Sequence, residues 1–365
     1  MGNDFLVVIA DKIADTHSVL SNKNIFCGES IFDIFRYRLN KKYNIPKENI
    51  FDGEQNLQNE ENTLVLYISR DCFDIGKKTF GIIMSSCRSG ESTIFSSRKS
   101  GKVFAKFNGL QNASGNGGVP IPIDYQPIRN FKELREKNTK AQKKIIERLE
   151  DNGVQFISLN GVVVSPIVNI AAGCVIYPNT IIRGEASIGK DCVIGGGSII
   201  DNAQLGENCV INSAQIYSSV LENNVKIGPF CHIRPNCVIK DNVKIGDFVE
   251  VKNSTLGEGT QASHLTYIGD SDVGERVNFG CGTVTVNYDG IKKSRCTIKD
   301  DAFIGCNANL IAPVTIGEKA FIAAGSTITA AVPDDTLAIA RPRDMTLKEN
   351  WSALREKVSK IGGSQ

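Results

Sequence analysis

The chain has 365 residues, a formal net charge of +2 and a charged fraction of 22%. This length allows two or three domains with a sizeable core, and the near-neutral charge gives no reason to expect a nucleic-acid or membrane-surface partner. No apolar run approaches the roughly 18 to 20 residues that a membrane span needs. Asp4 precedes the first apolar run, unlike the basic start of a signal peptide, so we expect a cytoplasmic protein.

Residues 1–111 predict a small α/β domain. Strand-like runs (FLVVIA, NTLVLYIS and FGIIMS) surround one helix-forming segment, ESIFDIFRYRLNKKY. Residues 112–153 follow as a glycine-rich linker and a connecting helix, predicted over 129–150 and ending at Asn152-Gly153.

From about residue 163 to residue 330 the chain repeats every six residues, within a predicted domain over residues 154–331. An aliphatic residue recurs in each hexad, as at Ile170, Ile176 and Ile182, and a small residue often follows four places on. This hexapeptide pattern predicts a parallel β-helix in which three hexads close one triangular coil, with the aliphatic and small residues inside. Glycines that follow the aliphatic residue are expected to relieve the corners. Pro333 ends the repeat, and residues 332–365 form a tail with a short helix predicted over 344–360.

The eleven cysteines do not resemble the disulfide framework of a short secreted chain. No C-x-x-C pair occurs, so we expect free thiols in a reducing compartment and no metal site. Five cysteines fall in the small inward slot, where a thiol fills space: Cys174, Cys192, Cys209, Cys231 and Cys237.

Two cations share one outer position of the repeat. Arg234 and Lys252 each follow an aliphatic residue and lie three hexads apart, so we expect them to stack about 4.8 Å from each other. Stacked cations repel unless an anion lies between them, and a phosphate is a natural counter-charge. The alternative interpretation is two solvated surface charges.

His264 lies two places after the inward Ala262, and therefore on the exterior. The equivalent positions in later coils are Cys281, Cys306 and Ala324, all small. This column predicts a shallow groove of roughly 14 Å, suited to an extended thioester arm, with a histidine available as a general base. A solvated surface histidine is the alternative. The insertion over 286–297 breaks the period beside the groove, where functional loops are expected.

The segment RPNCVIKDNVKIGDFVEVKNSTLGEGTQASHLTYIGDSDVGERVNFGCGTVTVNYDG resembles the acetyltransferase domain of the bifunctional GlmU family, within the hexapeptide-repeat acyltransferase superfamily. AFIGCNANLIAPVTIGEKAFIAAGSTIT continues the resemblance, which covers roughly residues 135–345. It implies an all-β left-handed parallel β-helix after the α/β domain, and a homotrimer with shared active sites. It also implies transfer of acetyl from acetyl-CoA to the amine of glucosamine-1-phosphate, a step of UDP-N-acetylglucosamine and peptidoglycan precursor synthesis.

The same resemblance implies roles for individual residues. His264 matches the family's catalytic base. The positions that match its sugar-phosphate contacts are Arg234, Lys252, Tyr267, Asn278 and Lys293. The positions that match its acetyl-CoA groove are Cys281, Asn287, Tyr288, Cys306, Ala324 and Arg341. Alanine or serine is usual where Cys281 and Cys306 stand, so either thiol is a candidate for alkylation.

The N-terminal region departs from the family. Its first strand runs into DKIADTHSVLSNKN, with no glycine between Asn3 and Cys27, where relatives carry a glycine-rich phosphate loop. Ser69-Arg70-Asp71 replaces a metal-binding Gly-Asp turn. We therefore expect residues 1–111 to be a reduced, inactive nucleotidyltransferase-like domain.

Other functions remain open at this point. A non-catalytic trimeric scaffold or regulatory homologue would also explain the degenerate first domain. A uridylyltransferase would need the missing phosphate loop, and a γ-carbonic-anhydrase-like site would need three histidines where the repeat has only His232 and His264.

Overall fold

The computed structural model describes residues 5–10, 12–13, 16–18, 20, 24–52, 64–87, 93–100, 103–108 and 121–341. The chain divides into two compact units, Met1–Val238 and Ile239–Gln365. The predicted helix over 344–360 and most of the predicted linker lie outside the described residues.

The first unit contains a mixed six-stranded sheet. Phe5–Ala10 is parallel to both of its neighbours, whereas Val103–Asn108 is antiparallel to both of its own. Val7, Val8 and Ile9 are fully buried, which explains the continuous apolar run in the sequence. Across the sheet the strands are Ile121–Ile123, Thr93–Ser97, Val103–Asn108, Leu64–Ser69, Phe5–Ala10 and Ile50–Asp52.

Short elements complete this region. Two antiparallel pairs join Lys12–Ile13 to Thr16–His17 and Ile25–Phe26 to Glu29–Ser30. The α-helices are Ile31–Tyr43, Lys77–Cys87 and Phe131–Asp151, and the 3-10 helices are Lys47–Asn49 and Arg70–Cys72. The helix at Ile31 begins where the Ser30 hydroxyl accepts a hydrogen bond from the backbone N–H of Asp33 at 3.1 Å.

One element differs from its prediction. FGIIMS, expected as a strand, lies inside the helix Lys77–Cys87. Phe80, Ile83 and Cys87 are the buried positions of that helix, so the apolar residues follow a helical period and not an alternating one. The other two predicted strands and the two described helices are confirmed.

The rest of the first unit is a β-helix with three parallel faces. Its first face holds Gln155–Phe156, Val175–Ile176, Val193–Ile194, Val210–Ile211 and Lys226–Ile227. The second holds Val163–Val164, Ile181–Arg183, Ile199–Asp201, Gln215–Tyr217 and His232–Ile233. The third holds Asn169–Ile170, Ser187–Ile188, Gln204–Leu205 and Val220–Leu221, and the strand Val238–Ile239 contains the boundary between units.

A side chain covers one open edge of this first β-helix. Gln142, on the helix Phe131–Asp151, donates from Nε2 to the Val164 carbonyl at 2.8 Å. Its Oε1 accepts from the Val164 N–H at 3.0 Å. The edge strand Val163–Val164 is thus paired by an amide side chain on its free side.

The second unit is also a three-faced parallel β-helix. Its first face holds Lys244–Asp247, Gln261–His264, Asn278–Phe279, Phe303–Ile304, Phe321–Ile322 and Leu337–Ala338. The second holds Glu250–Lys252, Tyr267–Gly269, Val284–Val286, Asn309–Ile311 and Thr327–Ile328. The third holds Thr255–Leu256, Ser271–Val273, Cys296–Ile298 and Val314–Ile316.

The aliphatic and small positions of the repeat are buried, as the hexad pattern predicts. Ile176, Ile182 and Ile194 are fully buried, and each such side chain contributes about 1.5 to 3 kcal/mol by leaving water. The five cysteines of the small slot are buried and free. The predicted fold class, a small α/β region followed by a parallel β-helix, is therefore confirmed, while its left-handed sense stays a prediction.

Glycine has a different role from the one expected. Many corners place Asn or Asp in the left-handed region, as at Asn179 and Asp191 with φ of 59° and 57°. A Cβ built on Gly257 would lie 2.3 Å from the carbonyl oxygen of Gly274 in the next coil. A glycine such as Gly257 therefore allows the close approach of the neighbouring coil without needing a positive φ, whereas Gly228, after Ile227, also has a φ of 107°.

Candidate functional site

The one histidine of the second unit, His264, is paired with a carboxylate. The strands Lys244–Asp247 and Gln261–His264 are parallel, in a register that places Asp247 beside His264. His264 Nδ1 lies 2.6 Å from Asp247 Oδ1. The hydrogen bond from His264 holds the pKa of Asp247 below its usual value, so the carboxylate is ionised at neutral pH. A carboxylate only accepts hydrogen bonds, so Nδ1 carries the hydrogen and Nε2 has the free lone pair of the neutral ring.

Asp247 was missed in the sequence, although the signal was present. It lies two places after Ile245, as His264 lies two places after Ala262. Asp247 is therefore the position equivalent to His264 one coil earlier.

The small residues predicted below His264 lie on stacked corners. The N–H of Gly282 donates to the Leu265 carbonyl at 3.0 Å. At the next corners, Asn307 donates to Cys281 and Gly325 donates to Cys306, each at 2.8 Å. Cys281 is half-buried, whereas Cys306 and Ala324 are exposed.

Arg341 lies at the far end of this column. Its Nη1 donates to the Ala324 carbonyl at 2.8 Å. The side chain is exposed, and the guanidinium is therefore held beside the corner while keeping donors toward solvent.

A second cluster surrounds the buried carboxylate of Asp270, which is 5% exposed. Asn253 Nδ2 donates to its Oδ1 at 2.6 Å, and Asn287 Nδ2 donates to its Oδ2. Lys252 Nζ lies 3.4 Å from Oδ2. Burial acts to raise the pKa of Asp270, but these hydrogen bonds and the ammonium together hold it below its usual value.

Lys252 and Lys293 come within reach of each other in this cluster. The charge of the Asp270 carboxylate helps to hold the pKa of Lys252 above its usual value. Tyr267 is adjacent, since its hydroxyl lies 3.5 Å from Asn287 Nδ2. Lys293 comes from the insertion, so the loop brings a basic group onto the outer surface of the coils.

The insertion is a structured loop. Ser294 donates from its N–H to the Asn287 carbonyl at 2.9 Å, and Tyr288 and Lys293 form an isolated antiparallel bridge. Arg295 makes a bidentate pair with Asp272, at 2.6 and 2.9 Å. Both ends of the loop are therefore tied to the β-helix, and Tyr288 stays exposed at its side.

Two predicted residues remain, Asn278 and Arg234. Asn278 is half-buried on the first face, one coil after Gln261–His264. Arg234 follows the strand His232–Ile233 of the first unit, and its carbonyl accepts from the Ser219 hydroxyl at 2.9 Å. Its stacking on Lys252 stays a prediction.

In the N-terminal sheet, internal contacts occupy the carboxyl ends of the parallel strands. Arg70 Nη2 lies 2.5 Å from Asp52 Oδ1. Asp71 accepts from the Leu20 N–H at 2.9 Å, and the hydroxyls of Ser18 and Ser69 lie 2.8 Å apart. Nucleotides bind at the carboxyl ends of parallel strands in sheets of this kind. The polar side chains there already form hydrogen bonds and an ion pair within the chain.

Two features are absent from the described residues. No group of three or more His, Cys, Asp and Glu side chains suitable for a metal ion occurs among them. None of their helices is long and apolar enough to cross a membrane.

Two repeat families match the chain. The bacterial transferase hexapeptide model matches residues 218–253 and 295–330, and the hexapeptide repeat of succinyl-transferase matches residues 185–213. Among solved structures, UDP-N-acetylglucosamine acyltransferase from Campylobacter jejuni aligns at 18% identity with a TM-score of 0.31, over 51% of this chain and 81% of that one. A TM-score this low carries no argument about function.

Curated relatives give a stronger similarity. The bifunctional protein GlmU of Halalkalibacterium halodurans is 51% identical over 60% of this chain and 48% of its own length. Those of Exiguobacterium sp. and Caldicellulosiruptor saccharolyticus are each 48% identical, over 60% and 68% of this chain and 48% and 54% of their own lengths. The chain thus spans about half the length of the curated relatives it matches. Parts of its β-helix match hexapeptide-repeat models, and the chain is similar to about half of the GlmU proteins.

Proposed function

We propose that the chain is an acetyl-CoA-dependent N-acetyltransferase that acts on glucosamine-1-phosphate. The observation that carries the proposal is the hydrogen-bonded pair of His264 and Asp247 at the head of an outer column of small residues. The similarity to GlmU supports the same reaction type, because a GlmU relative is expected to share the acceptor and the acyl donor.

His264 is the proposed general base. Its Nε2 takes the proton from the sugar amine as the nitrogen attacks the thioester carbonyl and the new C–N bond forms. The tetrahedral intermediate then collapses, the C–S bond breaks, and the imidazolium returns the proton to the leaving thiolate. Asp247 orients the ring through Nδ1 and stabilises its positive charge during the step.

The basic cluster is the proposed binding site for the sugar phosphate. Lys252 and Lys293 would share the phosphate, which removes the repulsion between two neighbouring ammonium groups. Asp270 keeps Lys252 and Asn287 in place. Tyr267, Asn278 and Arg234 are further proposed sugar-phosphate contacts.

The column of small residues is the proposed path of the acetyl-CoA arm, past Cys281, Cys306 and Ala324. Asn287, Tyr288 and Arg341 are proposed to line it. A homotrimer is proposed as well, in which a neighbouring subunit completes each site. No metal is required by this mechanism, since the base and the cations come from side chains.

The region over residues 1–111 is proposed to lack uridylyltransferase activity. The internal pairs of Asp71 and Arg70 support this, since these groups would otherwise be available to a nucleotide. Release of pyrophosphate from UTP, magnesium and N-acetylglucosamine-1-phosphate would contradict it.

The test is acetyl transfer to glucosamine-1-phosphate, followed by chromatography of the acetylated sugar. The wild type should turn over, and His264→Ala should lose about 100-fold or more in kcat. His232→Ala is the matched control, because His232 packs edge-on against Tyr217 in the first unit and should leave the rate unchanged. Acetyl-CoA binding without any turnover would favour the scaffold function instead.

A further inference from the structure

Two thiols lie side by side on the outer surface of the second unit. The strands Asn278–Phe279 and Phe303–Ile304 are parallel, with Phe279 opposite Ile304. Cys281 and Cys306 each lie two residues further on, at successive corners. The N–H of Asn307 donates to the Cys281 carbonyl at 2.8 Å, and a Cβ built on Gly280 would lie 2.5 Å from the Cys306 nitrogen. The two corners are therefore in direct contact.

These thiols differ from the others in accessibility. Cys281 is half-buried and Cys306 is exposed, whereas the other nine cysteines are buried. Burial raises the pKa of Cys296 to about 11 and that of Cys87 to about 12, which keeps these thiols protonated and unreactive at neutral pH. Reagents in solution therefore reach the corner pair first.

The spacing suits a covalent bridge. Adjacent coils of a parallel β-helix lie about 4.8 Å apart, and a disulfide joins Cα atoms roughly 4.4 to 6.8 Å apart. Cys296 lies between the two in sequence but is buried on the third face. Cys296 therefore cannot form a disulfide with Cys281 or Cys306 unless its coil unfolds.

We propose that Cys281 and Cys306 are a redox modification site, which a low-molecular-weight disulfide such as glutathione disulfide converts into an intrachain disulfide. The thiolate of one cysteine attacks the glutathione disulfide, forms a mixed disulfide and releases one glutathione thiolate. The second cysteine, as thiolate, attacks the protein sulfur of that mixed disulfide and releases the second glutathione. The protein loses two electrons and two protons, and one glutathione disulfide becomes two glutathione thiols.

The bridge has a consequence for the column, and this part rests on the proposed function. It places two bonded sulfurs across the corners along which the acetyl-CoA arm is proposed to run. A shift of about 1 Å in a reacting group is enough to cost 100-fold in rate. Oxidation should therefore suppress acetyl transfer, and reduction should restore it.

Trypsin makes the bridge measurable without any activity assay. Cleavage at Lys and Arg places Cys281 in the peptide 277–292 and Cys306 in the peptide 300–319, with Cys296 in a separate short peptide. The full chain is treated with glutathione disulfide, alkylated and digested. We expect the two peptides joined, two hydrogens lighter than the sum of their reduced forms, on a chain that runs as a monomer in a non-reducing gel.

Single variants are the matched controls. Cys281→Ser and Cys306→Ser should each carry one glutathione on the remaining cysteine and give no joined peptide. Only glutathionylated peptides from the wild type, or a bridge between two chains, would overturn the proposal.

Dithiothreitol should separate the peptides. It should also return acetyl transfer to its starting rate, from a level about tenfold or more lower in the oxidised protein. If the two peptides are joined but the rate is unchanged, the disulfide does not obstruct the acetyl-CoA path. If the reduced protein shows no turnover, the result counts against the proposed function itself.

Discussion

The carboxylate of Asp247 lies 2.6 Å from Nδ1 of His264, on adjacent strands of one face of the β-helix. The strands fix the spacing of the two residues, so the ring is oriented by the fold and not by a loop. This arrangement leaves the second ring nitrogen directed away from the carboxylate.

The substitution Asp247→Asn tests this orientation. The amide is neutral and cannot stabilise an imidazolium, so kcat should fall by about 100-fold while KM for the sugar phosphate changes little. Steady-state kinetics measure both constants. Asp301→Asn is the control, because Asp301 is another half-buried carboxylate, and it pairs with Arg276. Wild-type kcat in Asp247→Asn would show that the pair has no catalytic role.

The substitution Asp270→Asn tests the buried carboxylate. It leaves Lys252 without its counter-charge and weakens the hydrogen bonds from Asn253 and Asn287, at a cost of about 1 to 3 kcal/mol in the free energy of unfolding. Because the phosphate contacts lose their support, KM for the sugar phosphate should rise more than kcat falls. Urea denaturation and kinetics measure the two effects, and a variant with a changed kcat alone would contradict this role.

The same variant has a predicted pH signature. The folded pKa of Asp270 is depressed, so its contribution to stability is present above the unfolded value of about 3.9 and is lost as the pH falls through the lower folded value. Between pH 7 and pH 3 the wild type should therefore lose more stability than Asp270→Asn. Urea midpoints at the two pH values measure the difference, and equal losses would exclude a depressed pKa.

Two glycine substitutions should have opposite effects on stability. Gly257→Ala places a Cβ 2.3 Å from the Gly274 carbonyl, so it should lower the free energy of unfolding by about 1 to 3 kcal/mol. Gly81→Ala lies within the helix Lys77–Cys87 with no atom within 4 Å of the new Cβ, so it should raise stability by up to about 1 kcal/mol. Thermal unfolding measures both, and a tolerated Gly257→Ala would mean that the coils separate easily.

The substitution Arg70→Met tests the N-terminal ion pair. The Arg70 side chain is almost fully buried against Asp52, so its loss leaves that carboxylate without its partner and should cost about 3 kcal/mol. Arg98→Met, at an exposed position, is the control and should be neutral. If residues 1–111 have no catalytic role, acetyl transfer at a temperature well below unfolding should be unchanged in both variants.

The repeat made the β-helix predictable from sequence, because its period assigns inward and outward positions to every hexad. Ile176 and Cys192 are buried where that assignment places them. The same period, taken one coil back from His264, also reaches Asp247. It does not identify a buried acid at a corner, such as Asp270. The strands Thr93–Ser97 and Val103–Asn108 were not predicted at all, since their pairing joins residues that no local pattern connects.

The amide of Gln142 has a consequence for assembly. It donates one hydrogen bond to the Val164 backbone and accepts one from it, where another strand would otherwise pair. A side chain from a helix thus takes the place of one pair of strand hydrogen bonds. An exposed edge of stacked parallel strands is a template on which further copies can add. The helix Phe131–Asp151 thus acts as a terminator of β-sheet growth at this edge, and limits fibre-like extension of the solenoid.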